Sequence, residues 1–291
     1  MMKIKKLTFI GLGTMGYPMA GHLKKNNYEV IVYNRTISKS ENWINEFNGE
    51  YFSTPGEAVK NSDAVFICVG KDSDLREVME GQDGIIDNAK DNTIIVDHTT
   101  ASANIAREYF ALCKKNNLYF LDAPISGGQA GAENGKLSIM IGGEREPFEN
   151  IKPVLSCYGK AIELIGESGS GQLTKMINQI CIAGLVQGLS EGLAFGKKSN
   201  LDMEKVIKVI SKGAAQSWQM ENRYKTMLRG EYDFGFAVDW MRKDLSICFE
   251  EANKNGASLP ITKIVDNYYK TIQFEGGKRF DTSSLMTLVD K

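Results

Sequence analysis

A glycine-rich turn between an apolar strand pattern and a helix pattern constrains this chain more than any other feature. Residues 7–10 (LTFI) predict a short buried strand, residues 17–25 an amphipathic helix and residues 29–33 (EVIVY) a second strand. The turn itself consists of Gly11, Leu12, Gly13, Thr14, Met15 and Gly16. The pattern therefore predicts a β–α–β unit within the first 33 residues.

A different physical requirement explains the glycine at each of three positions in this turn. Gly11 permits a tight turn, Gly13 lets the backbone approach a pyrophosphate, and Gly16 lets the helix pack against the sheet. The helix N-terminus adds N–H groups and a partial positive charge. We predict that residues 11–16 bind a dinucleotide, the alternative being a purely structural turn.

The end of the second strand indicates which dinucleotide is bound. An NAD site usually has an acidic residue there, which holds the ribose 2′-hydroxyl. This chain has Asn34, Arg35 and Thr36 instead, and Ser38 follows. Arg35 can bind a 2′-phosphate with its planar fork of donors, and no carboxylate repels that phosphate. We therefore predict NADP rather than NAD, the alternative being a solvated surface arginine.

Strand and helix patterns continue to alternate through the first half. Residues 64–69, 93–96 and 118–121 are nearly continuous apolar runs, which is typical of parallel strands covered on both faces. The fold class is thus α/β, with an N-terminal doubly wound Rossmann sheet. Ligands bind at strand ends in such sheets, so the next residues are predicted to contact the cofactor: Val69, Gly70, Thr99 and Thr100. His98 is interpreted as a packing residue or a hydrogen-bond partner whose role depends on its tautomer.

Two further motifs complete the first half. Ser126, Gly127 and Gly128 form a loop that exposes backbone N–H groups and a hydroxyl, a suitable nest for a carboxylate. Residues 137–141 (LSIMI) predict another strand, and Gly142 with Gly143 suggests a hairpin that extends the sheet.

The second half has helical patterns only. A long helix is predicted over residues 172–197, followed by helices over 203–211, 236–255 and 261–275. The expected boundary separates a Rossmann domain, 1–166, from an all-helical substrate and oligomerisation domain, 167–291. The predicted buried sides of the long helix carry Leu173, Met176, Ile177, Ile180, Gly184 and Val186.

Lys175 lies about one turn into the long helix and is the candidate acid–base residue. Asn178 and Gln179 follow at the spacings that share a helix face. Apolar neighbours would partly desolvate the Lys175 amine, which suits it for proton transfer. The alternative is a lysine whose stem covers apolar surface while its amine stays in water.

Composition argues against several classes of protein. The formal net charge is −1, which is a poor match for a nucleic-acid binder. Five cysteines without a CxxC pair indicate thiols in a reducing compartment, and two distant histidines do not predict a zinc site. No apolar run is long enough to span a membrane. We therefore expect a cytoplasmic protein without metal, nucleic-acid or membrane partners.

Four segments in order resemble the β-hydroxyacid dehydrogenase family. Residues 9–20 (FIGLGTMGYPMA) are similar to its N-terminal signature, and 122–137 (DAPISGGQAGAENGKL) to its substrate loop. Residues 169–179 (GSGQLTKMINQ) are similar to its catalytic segment, and 240–245 (WMRKDL) to the segment that closes over the active site. The resemblance covers nearly the whole chain and is specific to the family rather than to one substrate.

The resemblance implies hydride transfer between NADP(H) and a small 3-hydroxy acid or the matching semialdehyde. Lys175 would be the general acid and base, and Ser126, Gly127 and Gly128 would bind the substrate carboxylate. Asn178 would position the substrate, Lys243 would contact cofactor or substrate, and Asp244 would help to hold the closed site. Relatives form homodimers or homotetramers, so one of these states is expected.

The sequence departs from the family at two places. His98 stands where members often have Met or a small residue, and Trp218 and Trp240, with Gln219 and Arg223, suggest an unfamiliar aromatic and polar lining. Residues 216–223 could line the site or form a packed helix face. A 6-phosphogluconate dehydrogenase is longer, and an imine reductase usually lacks the lysine. A catalytically silent NADP-binding or partner-binding module stays open as the alternative function.

Overall fold

The computed structural model describes residues 4–290, which divide into two units between Lys175 and Met176. The boundary expected from the sequence, between residues 166 and 167, falls at the end of the last strand and stays a prediction. None of the helices within residues 4–290 combines the length and apolar character needed to cross a membrane.

One sheet organises the first unit. Its strands are β1 (Lys6–Ile10), β2 (Glu29–Tyr33), β3 (Glu50–Tyr51), β4 (Ala64–Ile67), β5 (Ile94–Asp97), β6 (Tyr119–Asp122), β7 (Ile125–Ser126), β8 (Leu137–Gly142) and β9 (Gly159–Gly166). The strand order is β3-β2-β1-β4-β5-β6-β8-β7, with β9 paired to β8. The strands from β3 to β6 in this order are parallel. The predicted doubly wound Rossmann sheet is confirmed, and its parallel strands end at one edge.

Helices connect these strands. They are α1 (Gly16–Lys25), α2 (Ile37–Phe47), α3 (Pro55–Val59), α4 (Asp72–Glu80), α5 (Ala103–Lys115), α6 (Gly128–Glu133) and α7 (Arg145–Leu155). Alternate side chains of each central strand enter two different apolar clusters. Phe66 of β4 belongs to one cluster, and Val65 and Ile67 belong to the other. Both faces of the sheet are therefore buried, which is why these strands read as continuous apolar runs.

The hairpin predicted at Gly142 and Gly143 is wrong, although the strand before it is correct. After β8 the chain forms α7 and returns as β9, parallel to β8. The two glycines serve close packing instead of a reversal. A Cβ on Gly142 would lie 2.6 Å from Asp122 Oδ1, and one on Gly143 would lie 2.5 Å from Leu121 Cδ2. The antiparallel partners of β8 are β6 and β7, which both precede it in the chain.

The second unit is all-helical, as predicted. Helix α8 (Ser170–Lys198) begins in the first unit, and α9 (Met203–Ile210), α10 (Trp218–Arg229), α11 (Val238–Asn255), α12 (Pro260–Phe274), a 3₁₀ helix (Thr282–Leu285) and α13 (Met286–Val289) follow. On α8, Met176 and Val186 are buried as expected, but Ile177 is 62% exposed. The buried stripe continues instead through Ala183 and Leu193.

Candidate active site

The glycine-rich turn joins β1 to α1, and two of its glycines are required by the backbone. Gly11 has a φ of +97°, and a Cβ there would overlap the carbonyl oxygen of Cys68. A Cβ on Gly16 would overlap the Gly11 carbonyl oxygen and approach the Phe9 ring at 2.9 Å. Neither position accepts a larger side chain without a shift of the backbone.

Gly13 differs from its neighbours because a Cβ there would meet nothing within 4 Å. The open space lies beside the start of α1, which has no side-chain cap and no acidic residue in its first turn. The first N–H groups of a helix have no partner within the helix and bind anions. The turn therefore fits a pyrophosphate, the group that a nicotinamide dinucleotide would place there.

Asn34 connects this turn to the end of β2. Its Oδ1 accepts a hydrogen bond from the Leu12 N–H at 2.9 Å, and its Nδ2 donates to the Thr36 carbonyl at 3.1 Å. The Asn34 side chain thus organises the two loops through their backbones. Thr36 is the N-cap of α2 and makes no side-chain cap hydrogen bond.

Arg35 lies at the same edge and is exposed, 3.6 Å from Glu77 and 4.0 Å from Asp74 of α4. Exposed ion pairs of this kind contribute little, so the guanidinium can exchange them for a phosphate. Lys39 was missed by sequence reasoning. It lines a groove of about 540 Å³ together with Gly13 and Thr14, and its position in the first turn of α2 was the available signal.

The turns after β4 and β5 are hydrogen-bonded to each other. Thr99 Oγ1 accepts from the Val69 N–H at 3.1 Å, and the Thr99 N–H donates to Asp97 Oδ1 at 2.9 Å. Asp97 is fully buried, and burial raises its pKa to about 7. Thr99 is also buried, and its hydrogen bonds hold the two turns together. Thr100 is more accessible. The structure thus brings together the predicted residues of this edge.

His98 lies in the core with a defined tautomer. Its Nδ1 lies 2.6 Å from the Ala123 carbonyl and its Nε2 lies 2.8 Å from the Tyr158 hydroxyl. A carbonyl can only accept, so Nδ1 carries the proton and Nε2 accepts from Tyr158. The ring also stacks on Phe66. Burial lowers the pKa of His98 to about 4, which keeps the imidazole neutral.

We expect the stability advantage of the wild type over His98→Gln to shrink as the solution is acidified. The folded pKa is about 4 against 6.5 for an ordinary histidine, so the stabilisation is complete above pH 6.5 and is lost as the pH falls toward 4. The expected loss is roughly 3 kcal/mol of unfolding free energy between these limits. Urea unfolding of both proteins at several pH values measures it.

The comparison with a variant is needed because Asp97 titrates in the opposite sense. Its raised pKa makes the folded state more stable as the pH falls, and it is present in both proteins, so it cancels in the difference. A difference in unfolding free energy that stays constant between pH 7 and 4.5 would contradict a buried neutral His98.

The segment after β6 starts at a hydrogen-bonded carboxylate and ends in two glycines with positive φ. Asp122 accepts hydrogen bonds from the Gly169 N–H at 2.7 Å and the Gln172 N–H at 2.9 Å, so its carboxylate caps the start of α8. Gly127 and Gly128 follow β7 with φ of +137° and +63°, values that favour glycine. The loop at Ser126 is partly exposed and can present N–H groups to an anion.

Lys175 is brought to this loop by α8. Only 7% of the residue is exposed, and its Nζ donates a hydrogen bond to the Ile125 carbonyl at 2.7 Å. Ile125 directly precedes Ser126, so the amine and the Ser-Gly-Gly loop are neighbours within the first unit. Lys175 is therefore not a solvated surface lysine.

The second unit holds the other predicted residues in one polar chain. Asn178 Nδ2 donates to Gln179 Oε1 at 2.8 Å, and Gln179 Nε2 donates to Asp244 Oδ2 at 2.6 Å. Lys243 Nζ lies 2.8 Å from Asp244 Oδ1 and 6.0 Å from the centre of the Trp240 ring. Asp244 is buried and anchors the chain, while Trp240 is 37% exposed.

Arg223 has a structural role in the second unit. Its guanidinium lies 5.0 Å from the Trp218 ring and 4.9 Å from the Phe234 ring. It also donates to both oxygens of Asp281, at 3.1 and 3.3 Å. Of the two interpretations of residues 216–223, the packed helix is the one that the contacts of α10 favour.

Known proteins match this chain over nearly its whole length. The NAD binding domain of 6-phosphogluconate dehydrogenase matches residues 6–166, and the NAD-binding region of NADP-dependent 3-hydroxyisobutyrate dehydrogenase matches residues 169–289. An uncharacterized oxidoreductase of Shewanella frigidimarina (strain NCIMB 400) is 57% identical over 98% of both chains. The 2-hydroxy-3-oxopropionate reductase of Escherichia coli (strain K12) is 32% identical, over 98% of this chain and 97% of its own.

A solved structure shares the fold. Mycobacterium tuberculosis 3-hydroxyisobutyrate dehydrogenase, determined with L-serine, superposes with a TM-score of 0.88 at 24% identity and covers 99% of this chain and 100% of its own. Both halves of the chain match, and the relatives that carry functional names are oxidoreductases. The chain therefore belongs to the β-hydroxyacid dehydrogenase family of NAD(P)-dependent oxidoreductases.

Proposed function

We propose that this protein transfers hydride between NADP(H) and a small 3-hydroxy acid or its semialdehyde, with Lys175 as general acid and base. The observation that carries the proposal is the buried amine of Lys175, 2.7 Å from the Ile125 carbonyl that precedes Ser126. A proton donor beside a carboxylate nest suits a substrate that carries both a carboxylate and a reacting oxygen.

Residues of the first unit would hold the cofactor. The N–H groups of residues 13–16 bind its pyrophosphate, and Arg35, Thr36 and Lys39 bind the 2′-phosphate. The turns that contain Val69, Gly70 and Thr100 lie at the same sheet edge and support its nicotinamide end, with Thr99 fixing their backbones. When bound, the cofactor supplies the hydride acceptor or donor.

Lys175 performs the proton transfer in this proposal. The Ile125 carbonyl accepts a hydrogen bond from the Lys175 Nζ and fixes the direction of the amine. During aldehyde reduction Lys175 donates a proton to that oxygen, and during oxidation it removes the proton. Ser126, Gly127 and Gly128 bind the carboxylate, and Asn178 positions the substrate with Lys243. Asp244 holds Lys243 and Gln179 in place.

The substrate class is argued from the relatives and the charge of these groups. The E. coli relative is named for 2-hydroxy-3-oxopropionate, and the fold neighbour for 3-hydroxyisobutyrate. Both names describe short acids that carry the carboxylate which the Ser-Gly-Gly loop would bind. We also propose that the protein forms a homodimer or a homotetramer.

A spectrophotometric screen tests the proposed reaction. The purified protein is given NADPH or NADH with glyoxylate, succinic, tartronate or methylmalonate semialdehyde, and NADP⁺ with the hydroxy acids and serine. Oxidation of NADPH by tartronate or methylmalonate semialdehyde supports the proposed 3-hydroxy acid pair and identifies the substrate. Turnover of glyoxylate or succinic semialdehyde alone supports the hydride transfer but contradicts the 3-hydroxy acid. Tight NADPH binding without turnover of any pair favours the catalytically silent binding module instead.

We expect Arg35→Ala to weaken NADPH far more than NADH. A planar guanidinium forms paired, charge-assisted hydrogen bonds with a phosphate, so removing it should raise the KM for NADPH about 10-fold. NADH lacks the 2′-phosphate and should change by less than about 2-fold. Steady-state kinetics with both cofactors measures the ratio.

Arg76→Ala is the matched control for this prediction. Arg76 also lies on the first unit's surface, but it pairs with Glu108 at 2.6 Å on α5. Removing it subtracts the same charge without touching the Arg35 loop, so both KM values should stay unchanged. Equal losses for NADPH and NADH in Arg35→Ala would count against the assigned role of Arg35.

A further inference from the structure

Gln172 is a fully buried side chain that joins the first turn of α8 to the turn after β5. Its Nε2 donates to the Thr99 carbonyl at 2.7 Å, and its Oε1 accepts from the Ala101 N–H at 3.1 Å. Its own backbone N–H donates to Asp122 Oδ2. The amide nitrogen and the amide oxygen of Gln172 thus both bind the backbone of the same turn. These two hydrogen bonds fix the distance and the rotation of that turn relative to the helix.

The two structures that this amide joins carry different parts of the proposed chemistry. Thr99 holds the Val69 N–H, so the turn bound by Gln172 belongs to the edge that would support the cofactor. Lys175 follows Gln172 by three residues, one turn further along the same helix. Any shift of α8 along or around its axis relative to Thr99 would therefore move the Lys175 amine relative to the cofactor edge.

We propose that Gln172 is a positioning residue that sets the placement of Lys175 relative to the cofactor-binding turns. It acts through Lys175 and Thr99 and touches neither substrate nor reacting atoms. The inference rests on the proposed function, because it concerns the geometry of proton and hydride transfer. Rates of such reactions are sensitive to small displacements, and an error of about 1 Å can cost about 100-fold.

Two substitutions separate the parts of the interaction. Gln172→Glu keeps the shape and an acceptor for the Ala101 N–H, and its ionised form, which the assay at high pH favours, lacks the donor to the Thr99 carbonyl. Gln172→Met keeps the length and removes both hydrogen bonds without adding a charge beside Asp122. Gln187→Met is the control, since Gln187 is a buried glutamine on the same helix whose Nε2 donates to Glu191 instead.

The measurements are kcat at saturating NADPH and aldehyde, the NADPH dissociation constant from nucleotide fluorescence, Tm, and the isotope effect with 4-deuterated NADPH. We expect kcat of both Gln172 variants to fall about 10-fold or more, with the dissociation constant within about 3-fold. The isotope effect on kcat should grow, because a misplaced reaction step becomes rate-limiting. Gln187→Met should leave kcat unchanged.

Several results would overturn the inference. A wild-type kcat in folded Gln172→Met, or equal losses of kcat in Gln172→Met and Gln187→Met, would show that the amide only supports the fold. Failure of both Gln172 variants to fold would assign it the same purely structural role. A wild type that binds NADPH but reduces none of the aldehydes defeats the proposed function first and this inference with it.

Discussion

Lys175→Met is expected to lower kcat/KM for aldehyde reduction by about 10²- to 10⁴-fold, the usual contribution of a positioned acid–base group. Met has nearly the length of lysine and an apolar stem, so it can fill the same buried position without leaving a cavity. What it removes is the donor that lies 2.7 Å from the Ile125 carbonyl. The loss should therefore appear in the rate and not in the fold.

The dissociation constant of NADPH should stay within about 3-fold of the wild-type value in the same variant. The groups proposed to hold the cofactor belong to other segments of the first unit, at the glycine-rich turn and the ends of β2, β4 and β5. Fluorescence titration with NADPH and steady-state kinetics on one preparation measure both quantities. Lys115→Met, a change at an exposed lysine near the end of α5, serves as control and should leave both unchanged.

A Lys175→Met protein with wild-type kcat/KM would refute the acid–base role. Loss of both NADPH binding and turnover would also refute the acid–base role, because Lys175 would then serve cofactor binding. Only loss of turnover with retained binding supports the assignment. The buried Ile125 carbonyl bond explains why this lysine, unlike an exposed one, has a fixed direction.

Most individual strands and helices could be predicted from the sequence, because the spacing of apolar residues that indicates them is a local property. The strands β1, β2, β4, β5 and β6 and the helices α1 and α8 follow from apolar runs and helix spacing. Glycine was less informative, because it serves both chain reversal and close packing. Gly142 and Gly143 were interpreted as a hairpin turn, but the structure uses them against β6.

Partners across long sequence separations could not be predicted in the same way. A pattern indicates which element a residue belongs to, but it does not identify which distant atom completes its hydrogen bonds. Gln172 and Thr99 are 73 residues apart, and His98 and Tyr158 are 60 apart. Lys175 was found through its motif, whereas Gln172 and Asp122, which fix its helix, are apparent only from the structure.

Gly13→Ala is expected to weaken NADPH binding by about 10- to 100-fold while Tm stays unchanged. Gly13 is not among the glycines with positive φ, and a Cβ there meets no protein atom within 4 Å. The added methyl group therefore costs the free protein little. It would occupy the space that the pyrophosphate needs, and overpacking of this kind costs about 1–3 kcal/mol, which corresponds to the stated loss of affinity.

Gly16→Ala gives the contrasting result that makes the prediction specific. Its Cβ would overlap the Gly11 carbonyl oxygen and press on Phe9, so we expect a lower Tm even without cofactor, together with weaker binding. Gly188→Ala, at an open and exposed position inside α8, should leave NADPH binding unchanged and raise Tm slightly, because alanine favours a helix interior more than glycine does. Thermal unfolding with and without NADPH measures all three variants, since a bound ligand raises Tm by an amount that grows with the logarithm of its affinity. If Gly13→Ala were stabilised by NADPH as strongly as the wild type, the pyrophosphate could not lie against this turn. Arg35 would then have no adjacent nucleotide to recognise, and the proposed cofactor site would have to be abandoned.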